Sequence, residues 1–382
     1  MIDVSLIPCD SYAPAACRQA LLDVLQPLGG LDWVQPGMKI AIKANLVSAM
    51  KPERAATTHP AMLAALTELL CERGAEVVIG DSPGGLYNAA FVGAVYRATG
   101  LESSPVCAPH LNRDYSQKVA QFPQAKVARE FQYTAYLAEC DAVINFCKLK
   151  THGMMAMSAA AKNMFGTVPG TMKPEYHFKY PDPKDFARML VDLNEYFKPR
   201  LSIVDAVVGM EGNGPTAGSA REIGALVAGF SPHKTDLVCA ALIGLSRSDV
   251  PTLEAAYERG LIPASCEELT LAGSLEALRV ADFKNVGAQN SHLFSQKLPG
   301  ALGLLQSRTM SLLLSSRPQV RGADCIGCRK CAEICPAHAI VMKQKKPVID
   351  RKKCIRCFCC QEFCPKGAMK VHRTVIARLL NR

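Results

Sequence analysis

The first 297 residues alternate between short apolar runs and longer stretches in which apolar residues recur at helical spacing. Three of the longer stretches predict helices, with Thr58 as the expected N-cap of the first: residues 61–73, 154–165 and 233–245. Five apolar runs predict buried strands: residues 39–46, 75–79, 142–147, 201–208 and 223–228. Strands that are apolar on both faces and alternate with helices indicate an α/β body, in which a parallel or mixed sheet is covered by helices.

Polar side chains follow four of these predicted strands at their carboxyl ends. They are Lys43, Asn45, Asp81, Ser82, Lys148, Lys150, His152, Glu211 and Asn213. Taken singly, each of them fits a solvated loop or a tight turn. Taken together they predict a pocket, because ligands of such sheets bind beyond the carboxyl ends of the strands.

The chemistry of the expected pocket is suited to an anion. Its candidate catalytic and binding residues are Lys43, Asp81, Lys150, His152, Lys162 and Glu211. The three lysines can hold a carboxylate or a phosphate, the histidine is a candidate proton shuttle, and the two acids are candidate bases or metal ligands. The sequence fingerprints of nicotinamide, nucleoside triphosphate, serine-hydrolase and zinc-protease sites do not occur, so those classes gain little support.

Eight of the 17 cysteines form two runs toward the C-terminal end, each with the spacing C-x2-C-x2-C-x3-C followed by proline. The runs consist of Cys325, Cys328, Cys331 and Cys335, then Cys354, Cys357, Cys360 and Cys364. The duplicated pattern resembles a bacterial two-cluster ferredoxin over about residues 321–372. Soft thiolates select iron–sulfur clusters. Structural zinc and spectator cysteines, the alternatives, do not need this run twice.

The resemblance implies two [4Fe–4S] clusters, each of which takes its fourth ligand from the other run. The first cluster would use Cys325, Cys328, Cys331 and Cys364, and the second Cys354, Cys357, Cys360 and Cys335. Cys359 breaks the spacing and is expected to be a spectator. Phe358 and Phe363 are expected to shield a cluster. Residues 339–342 and 347–350 are expected to form a hairpin.

The charge divides the chain into two unlike parts. The formal net charge is +10, but residues 317–382 contain 16 basic and 4 acidic residues, a net of +12, so residues 1–316 carry a net of −2. Apolar spacing in 298–320 predicts a helix that packs on the body rather than on a membrane surface. The predicted organisation is an α/β domain (1–297), a helical linker (298–320), a small α+β ferredoxin-like domain (321–373) and a basic tail (374–382).

The basic C-terminal part is expected to dock an acidic redox partner protein or an acidic part of the body. Two clusters, each with a formal charge of −2 when its four thiolates are counted, lower its charge to about +8. Aromatic residues make up only 6% of the chain and no RNA-binding motif occurs, so electron transfer is favoured over nucleic-acid binding. The N-terminal residues show no leader pattern, and no apolar run is long enough for a membrane span. Clustered cysteines bind metal in a reducing compartment, so we expect a cytoplasmic protein.

Several strings in the body resemble the family named domain of unknown function 362. They are KANL at 43–46, DSPGG at 81–85, AKNMFGTVPG at 161–170 followed by Tyr176-His177, VDAVVGMEGNGPTAG at 204–218, and TDLVCAALIGL at 235–245. The resemblance covers nearly all of residues 1–297, and members often carry a ferredoxin module. The family is in turn similar to the lactate racemase-like fold, whose histidine-rich signature is not found here, which leaves nickel-pincer chemistry a remote alternative.

These features predict an iron–sulfur protein that passes single electrons through two [4Fe–4S] clusters, to or from a site on the α/β body that binds a small anionic ligand. Whether that site performs chemistry, as in a ferredoxin-domain oxidoreductase, is left open. One alternative is a pure electron carrier whose body is a docking domain. Another is a non-redox enzyme with structural or oxygen-sensing clusters.

Overall fold

The computed structural model describes residues 2–286, called the body here, and residues 317–372, called the module. The strands are β1 (Val4–Pro8), β2 (Lys39–Lys43), β3 (Glu76–Gly80), β4 (Gln117–Gln121), β5 (Glu130–Thr134), β6 (Ala142–His152), β7 (Ala156–Ser158), β8 (Leu201–Glu211), β9 (Ser219–Gly229), β10 (Leu271–Ala272), β11 (Arg317–Val320), β12 (Ile340–Lys343), β13 (Lys346–Ile349) and β14 (Met369–His372). The helices are α1 (Pro14–Leu25), α2 (Pro60–Glu72), α3 (Ala89–Ala98), α4 (Ala160–Asn163), α5 (Lys173–Lys179), α6 (Pro183–Phe197), α7 (Pro232–Leu242), α8 (Pro251–Tyr257), α9 (Leu275–Leu278), α10 (Lys330–Glu333) and α11 (Cys359–Glu362).

One mixed sheet organises the body, in the order β10-β1-β9-β8-β6-β2-β3, with β7 paired to β6. Strands β3, β2, β6 and β8 are parallel, whereas β9 is antiparallel to both of its neighbours. Two large apolar clusters lie against the sheet, and the five strands predicted from the apolar runs all contribute to them. The predicted mixed α/β sheet is therefore confirmed.

The register of β2 and β3 brings their carboxyl ends level. Lys43 at the end of β2 lies beside Gly80 of β3 and Asn145 of β6. Strands β6 and β8 are longer than predicted, 11 residues each. They extend beyond the end of β2, so Lys150 and His152 lie within a strand and not in a loop.

The prediction of a helix at 154–165 is wrong for the first half of that range. The imidazole Nδ1 of His152 accepts hydrogen bonds from the amides of Met154 and Met155, both at 3.1 Å, and the chain turns back to form β7. Helix α4 starts only at Ala160, where the Asp236 carboxylate accepts the first two amide N–H groups. Long-range contacts thus override a local apolar pattern that fits a helix.

Thr58 is not the N-cap of α2. His59 occupies that position, and its ring Nδ1 accepts from the amide of Ala61 at 3.2 Å. The Thr58 hydroxyl instead accepts from the amide of Asn45 at 3.0 Å and donates to the carbonyl of Phe146 at 2.8 Å. Thr58 therefore ties the loop after β2 to β6, beside the predicted pocket.

The module consists of two small antiparallel pairs, β11 with β14 and β12 with β13. The predicted hairpin is confirmed, with Gln344 and Lys345 at its turn. Strand β11 (Arg317–Val320) lies within the predicted linker and pairs with β14, so these four residues are strand and not helix. The rest of the predicted linker, 298–316, and the basic tail, 374–382, lie outside the described residues.

The module is seated on the carboxyl end of the sheet. The Gln361 side-chain amide donates to the carbonyls of Asn213 and Gly214, at 2.9 and 2.8 Å, just beyond β8. The amide of Val371 donates to the side chain of Asn213 at 3.1 Å. Phe358, 1% exposed, packs within the apolar core of the body. The module therefore covers the edge of the sheet where the pocket is predicted.

Candidate functional site

A buried ion pair joins the ends of β2 and β3. The Lys43 ammonium lies 2.7 Å from a carboxylate oxygen of Asp81, and their side chains are 0% and 3% exposed. Asp81 also accepts from the amide of Leu46 at 2.7 Å, and Lys43 donates to the carbonyl of Ala44 at 2.7 Å. A Cβ on Gly166 would collide with both charged groups, so this position requires glycine.

Lys150 lies beside this pair on β6. Its ammonium donates to the side-chain oxygen of Asn45 and to the carbonyl of Ala56, both at 2.6 Å. Burial, with a further contribution from the charge of Lys162, lowers the pKa of Lys150 to about 7. This amine is therefore held by neutral acceptors and titrates near neutral pH.

His152 connects the body to the module. Its Nε2 lies 2.8 Å from a carboxylate oxygen of Glu362, the last residue of α11. Because Nδ1 accepts two backbone hydrogen bonds, the ring proton of the neutral imidazole is on Nε2, the nitrogen that lies next to Glu362. Burial lowers the pKa of His152. The side chain thus acts as a neutral donor, and a proton-shuttle role would require breaking its backbone contacts.

Glu362 is an anion inserted from the module among the cations of the body. Burial alone would raise the pKa of this carboxyl, but His152 and Lys162 outweigh that effect and hold it well below its ordinary value. Its backbone carbonyl also accepts from the Thr216 hydroxyl at 3.3 Å. Glu362 was not predicted from the sequence, because it lies between two cysteines of a ligand run and nothing local marks it.

Three further basic side chains lie around this carboxylate, and burial keeps one of them, His177, neutral by lowering its pKa to about 3. Lys162 on α4, as predicted, places its ammonium 4.9 Å from the centre of the Phe165 ring. Lys173 donates to the carbonyl of Ser82, and burial lowers its pKa to about 7. His177, 1% exposed, stacks on Phe186 with ring centres 4.3 Å apart. Sequence reasoning missed Lys173 and His177 as site residues, although His177 follows one of the strings that resemble the family.

Glu211 does not join the group. Its carboxylate pairs with Lys284, at 3.2 Å from the ammonium and 3.1 Å from the backbone amide. The reason lies in the register: Met210 is the residue opposite Lys150, and successive side chains of a strand point to opposite faces. Lys148 is also separate, since it pairs with Asp205 at 2.5 Å. We call the remaining group the lysine cluster: Lys43, Asp81, Lys150, His152, Lys162, Lys173, His177 and Glu362.

Lys150 and Lys173 titrate near neutral pH in the folded protein, which predicts that the free energy of unfolding rises between about pH 7 and 10. Unfolded lysine keeps its proton to about pH 10.4, whereas Lys150 and Lys173 lose theirs near 7 in the folded protein. In this window the unfolded chain binds more protons, so raising the pH favours the folded state. Anaerobic urea unfolding at pH 7 and 9 should show a smaller rise for Lys173→Met than for the exposed control Lys118→Met. An equal rise in both variants would contradict the assignment.

The cysteines of the module line two cavities. The first is lined by Cys325, Cys328, Cys331 and Cys364. The second is lined by Cys335, Cys354, Cys357, Cys359 and Cys360. The amides of Ala339 and Ala368 each donate to the sulfur of a fourth-position cysteine at 3.2 Å. Four thiols around a cavity, with amide donors to sulfur, fit an iron–sulfur cluster.

The two aromatic residues of the second run have different surroundings. Phe358 lines the second cavity, as a shielding residue should. A Cβ built on Gly84 would lie 2.8 Å from the Phe363 ring, so that ring packs against the loop after β3. Cys359 is buried, and its thiol hydrogen-bonds to Cys357, which raises the pKa of Cys359.

Within residues 2–286 and 317–372, no three His, Cys, Asp or Glu side chains converge to hold a single metal ion.

Comparisons with known proteins agree with this division of the chain. Residues 40–241 match the family model described as domain of unknown function (DUF362), and residues 324–368 match the model of a 4Fe–4S dicluster domain. A relative, the thylakoid-associated protein sll1697 of Synechocystis sp. (strain ATCC 27184 / PCC 6803 / Kazusa), is 32% identical over 272 residues. That alignment covers 69% of this chain and 81% of the relative.

Two solved structures show a distant likeness. The lactate racemase apoprotein from Thermoanaerobacterium thermosaccharolyticum is 11% identical, with a TM-score of 0.40. The matched region covers 64% of this chain and 58% of the racemase chain. A protein from Thermotoga maritima is 12% identical with a TM-score of 0.32, and covers 53% and 52%. This chain therefore matches less than two thirds of the length of either solved structure.

Among the described residues, no helix is long and apolar enough to cross a membrane.

Proposed function

The chain belongs to the DUF362 family and contains a 4Fe–4S dicluster domain, and from this premise we propose that it transfers electrons to or from a ligand on its body. The module would hold two [4Fe–4S] clusters, and the lysine cluster would bind a small anionic ligand. When bound, such clusters exchange single electrons. The residues of the chain hold the clusters, dock the module and position the ligand.

The two cavities support the two ligand sets. Cys364 lines the first cavity with the three leading cysteines of the other run, and Cys335 lines the second in the same way. This exchange of the fourth cysteine is the arrangement of two-cluster ferredoxins. We assign the first cluster to Cys325, Cys328, Cys331 and Cys364, and the second to Cys354, Cys357, Cys360 and Cys335.

The single observation that carries the proposal is that α11 belongs to both sites. Within these four residues, Cys360 lines the second cavity and the Glu362 carboxylate lies 2.8 Å from Nε2 of His152 in the lysine cluster. Phe358, just before the helix, lines the cavity on one side and packs in the body core on the other. The second cluster and the lysine cluster would thus be separated by little more than one helical turn, a short path for an electron.

The lysine cluster has more cationic than anionic groups, which supports an anionic ligand. Four lysines face two carboxylates, and within the described residues no hydrogen bond or ion pair reaches the Lys162 ammonium. Two buried polar atoms nearby, the Ser82 hydroxyl and Nδ1 of His177, also lack hydrogen-bond partners in the described part of the chain. Buried polar atoms are seldom left unpaired. An anion with hydrogen-bonding oxygens would satisfy them.

The ligand is testable by screening small carboxylates and phosphates for changes in the visible spectrum of the anaerobically purified chain. For an anion that changes the spectrum, we expect Lys162→Met to weaken binding about tenfold to a hundredfold, the usual effect of one charge-assisted contact. The control Lys118→Met removes an exposed lysine of the body and should bind as wild type does. Equal binding by both variants would contradict the assignment of Lys162.

The clusters of the Lys162 variant should keep their own spectrum, because the cysteines lie in the module. A ligand that changes the oxidation state of the clusters favours the proposal over a pure carrier. Clusters that dithionite cannot reduce would favour the alternative in which the clusters have a structural role.

The cytoplasmic location expected from the cysteines stays a prediction, and the name "thylakoid-associated" belongs to the relative.

A further inference from the structure

The first thiol cavity opens on an exposed part of the module. Cys328 is exposed, and Ile326, two residues before it, has 61% of its surface accessible. The second cavity differs, since Phe358, one of its lining residues, packs in the apolar core of the body. The module therefore has one cavity that faces the body and one that faces outward.

Basic side chains surround the outward cavity. Arg329 and Lys366 line it and are exposed. The hairpin turn lies over the loop of the first run, because the Lys346 ammonium donates to the carbonyl of Cys325 at 2.8 Å. This contact places the exposed Lys345 beside Gly327: a Cβ on that glycine would lie 2.9 Å from the Lys345 carbonyl. We call this surface the first-cavity rim: Ile326, Cys328, Arg329, Lys345 and Lys366.

The neighbouring hairpin adds apolar surface. Val341 and Val348, one on each strand, are 54% and 44% exposed. With Ile326 they account for three of the large exposed apolar side chains of the described residues, although the module is much shorter than the body. Apolar side chains next to a charged rim are typical of a surface that binds another protein.

We propose that the first-cavity rim is the docking surface for an acidic redox protein, the external electron donor or acceptor. This inference rests on the proposed function, because a redox partner is needed only if the clusters exchange electrons. Charge complementarity selects the partner: residues 317–372 contain 13 basic and 4 acidic residues, and one of the acids near the rim, Asp324, pairs with Arg321 at 3.6 Å. The body already covers the other side of the module.

The test uses oxidised flavodoxin, an acidic electron carrier, as the probe, and measures its affinity for the full chain by calorimetry at low ionic strength. We expect Arg329→Gln/Lys345→Gln to weaken binding at least about tenfold and to flatten its salt dependence, as loss of complementary charge does. Ile326→Gln should weaken binding without changing the salt dependence. The matched control Lys352→Gln/Lys353→Gln removes two exposed charges that line neither cavity, and should change the affinity less than about twofold.

Three results would overturn the inference: no binding of flavodoxin by wild type, equal weakening by the rim and control pairs, or tighter binding of the basic protein cytochrome c than of flavodoxin. Iron content and reduction by dithionite, measured on the same samples, separate this inference from the proposed function. Reducible clusters with binding that ignores the rim would refute the docking surface alone. Clusters that cannot be reduced would refute the proposed function, while rim-dependent binding would still establish the surface.

Discussion

Replacing Cys360 by alanine should halve the iron content, from about eight to about four atoms per chain. Cys360 occupies the third position of the second run, and both the spacing and the cavity lining make it a ligand of the second cluster. A cluster with three thiolates and no fourth ligand should be lost on anaerobic purification. Iron and acid-labile sulfide, counted together on the purified protein, measure the effect.

Cys359→Ala is the matched control, since both cysteines are buried neighbours that line the same cavity. Cys359 lies outside the repeated spacing of the two runs, so its loss should leave about eight irons in place. If Cys359→Ala loses a cluster and Cys360→Ala keeps both, then the assigned register of the second run is wrong.

Asp81→Ala should destabilise the protein by about 3–5 kcal/mol, because it leaves the ammonium of Lys43 buried without its counter-charge. Replacing both partners, as in Lys43→Met/Asp81→Leu, should cost less than Asp81→Ala alone, since no uncompensated charge remains. Anaerobic urea unfolding at neutral pH measures the free energy of unfolding of each variant.

Asp32→Ala is the control for this ion pair. Asp32 pairs with Arg73 at 3.0 Å, but the two side chains are 80% and 45% exposed. Exposed pairs contribute about 0–1 kcal/mol, so its loss should have a small effect. Similar costs for Asp32→Ala and Asp81→Ala would show that burial of the Lys43–Asp81 pair does not govern its energy.

That Lys43 and Asp81 lie in one group was predictable, whereas their ion pair was not. Both residues end apolar runs, and parallel neighbours finish at the same edge of a sheet. The two cysteine runs were equally predictable from the sequence, because their spacing is local and repeated.

The prediction that Glu211 belongs to the site was wrong for a different reason. Its direction depends on the pairing of β8 with β6, whose register shifts between Lys148 and Lys150, and an apolar run does not reveal such a shift.

Glu362 and His177 could not be derived from local pattern. Glu362 belongs to another domain and reaches His152 only because the module docks through Gln361 and Phe358. His177 lies on α5, where a buried histidine has no distinctive spacing. Contacts that depend on how separate units meet leave no periodic pattern in either unit, so these members of the lysine cluster could be identified only from the structure.

A reductive titration of the anaerobically purified full chain, with iron counted on the same sample, tests the central claim most directly. Two [4Fe–4S] clusters predict about eight irons and the uptake of about two electrons per chain, one for each cluster. The brown absorbance should bleach as the electrons are taken up. Four irons or fewer, zinc as the main metal, or a full complement of clusters that dithionite cannot reduce would contradict the account.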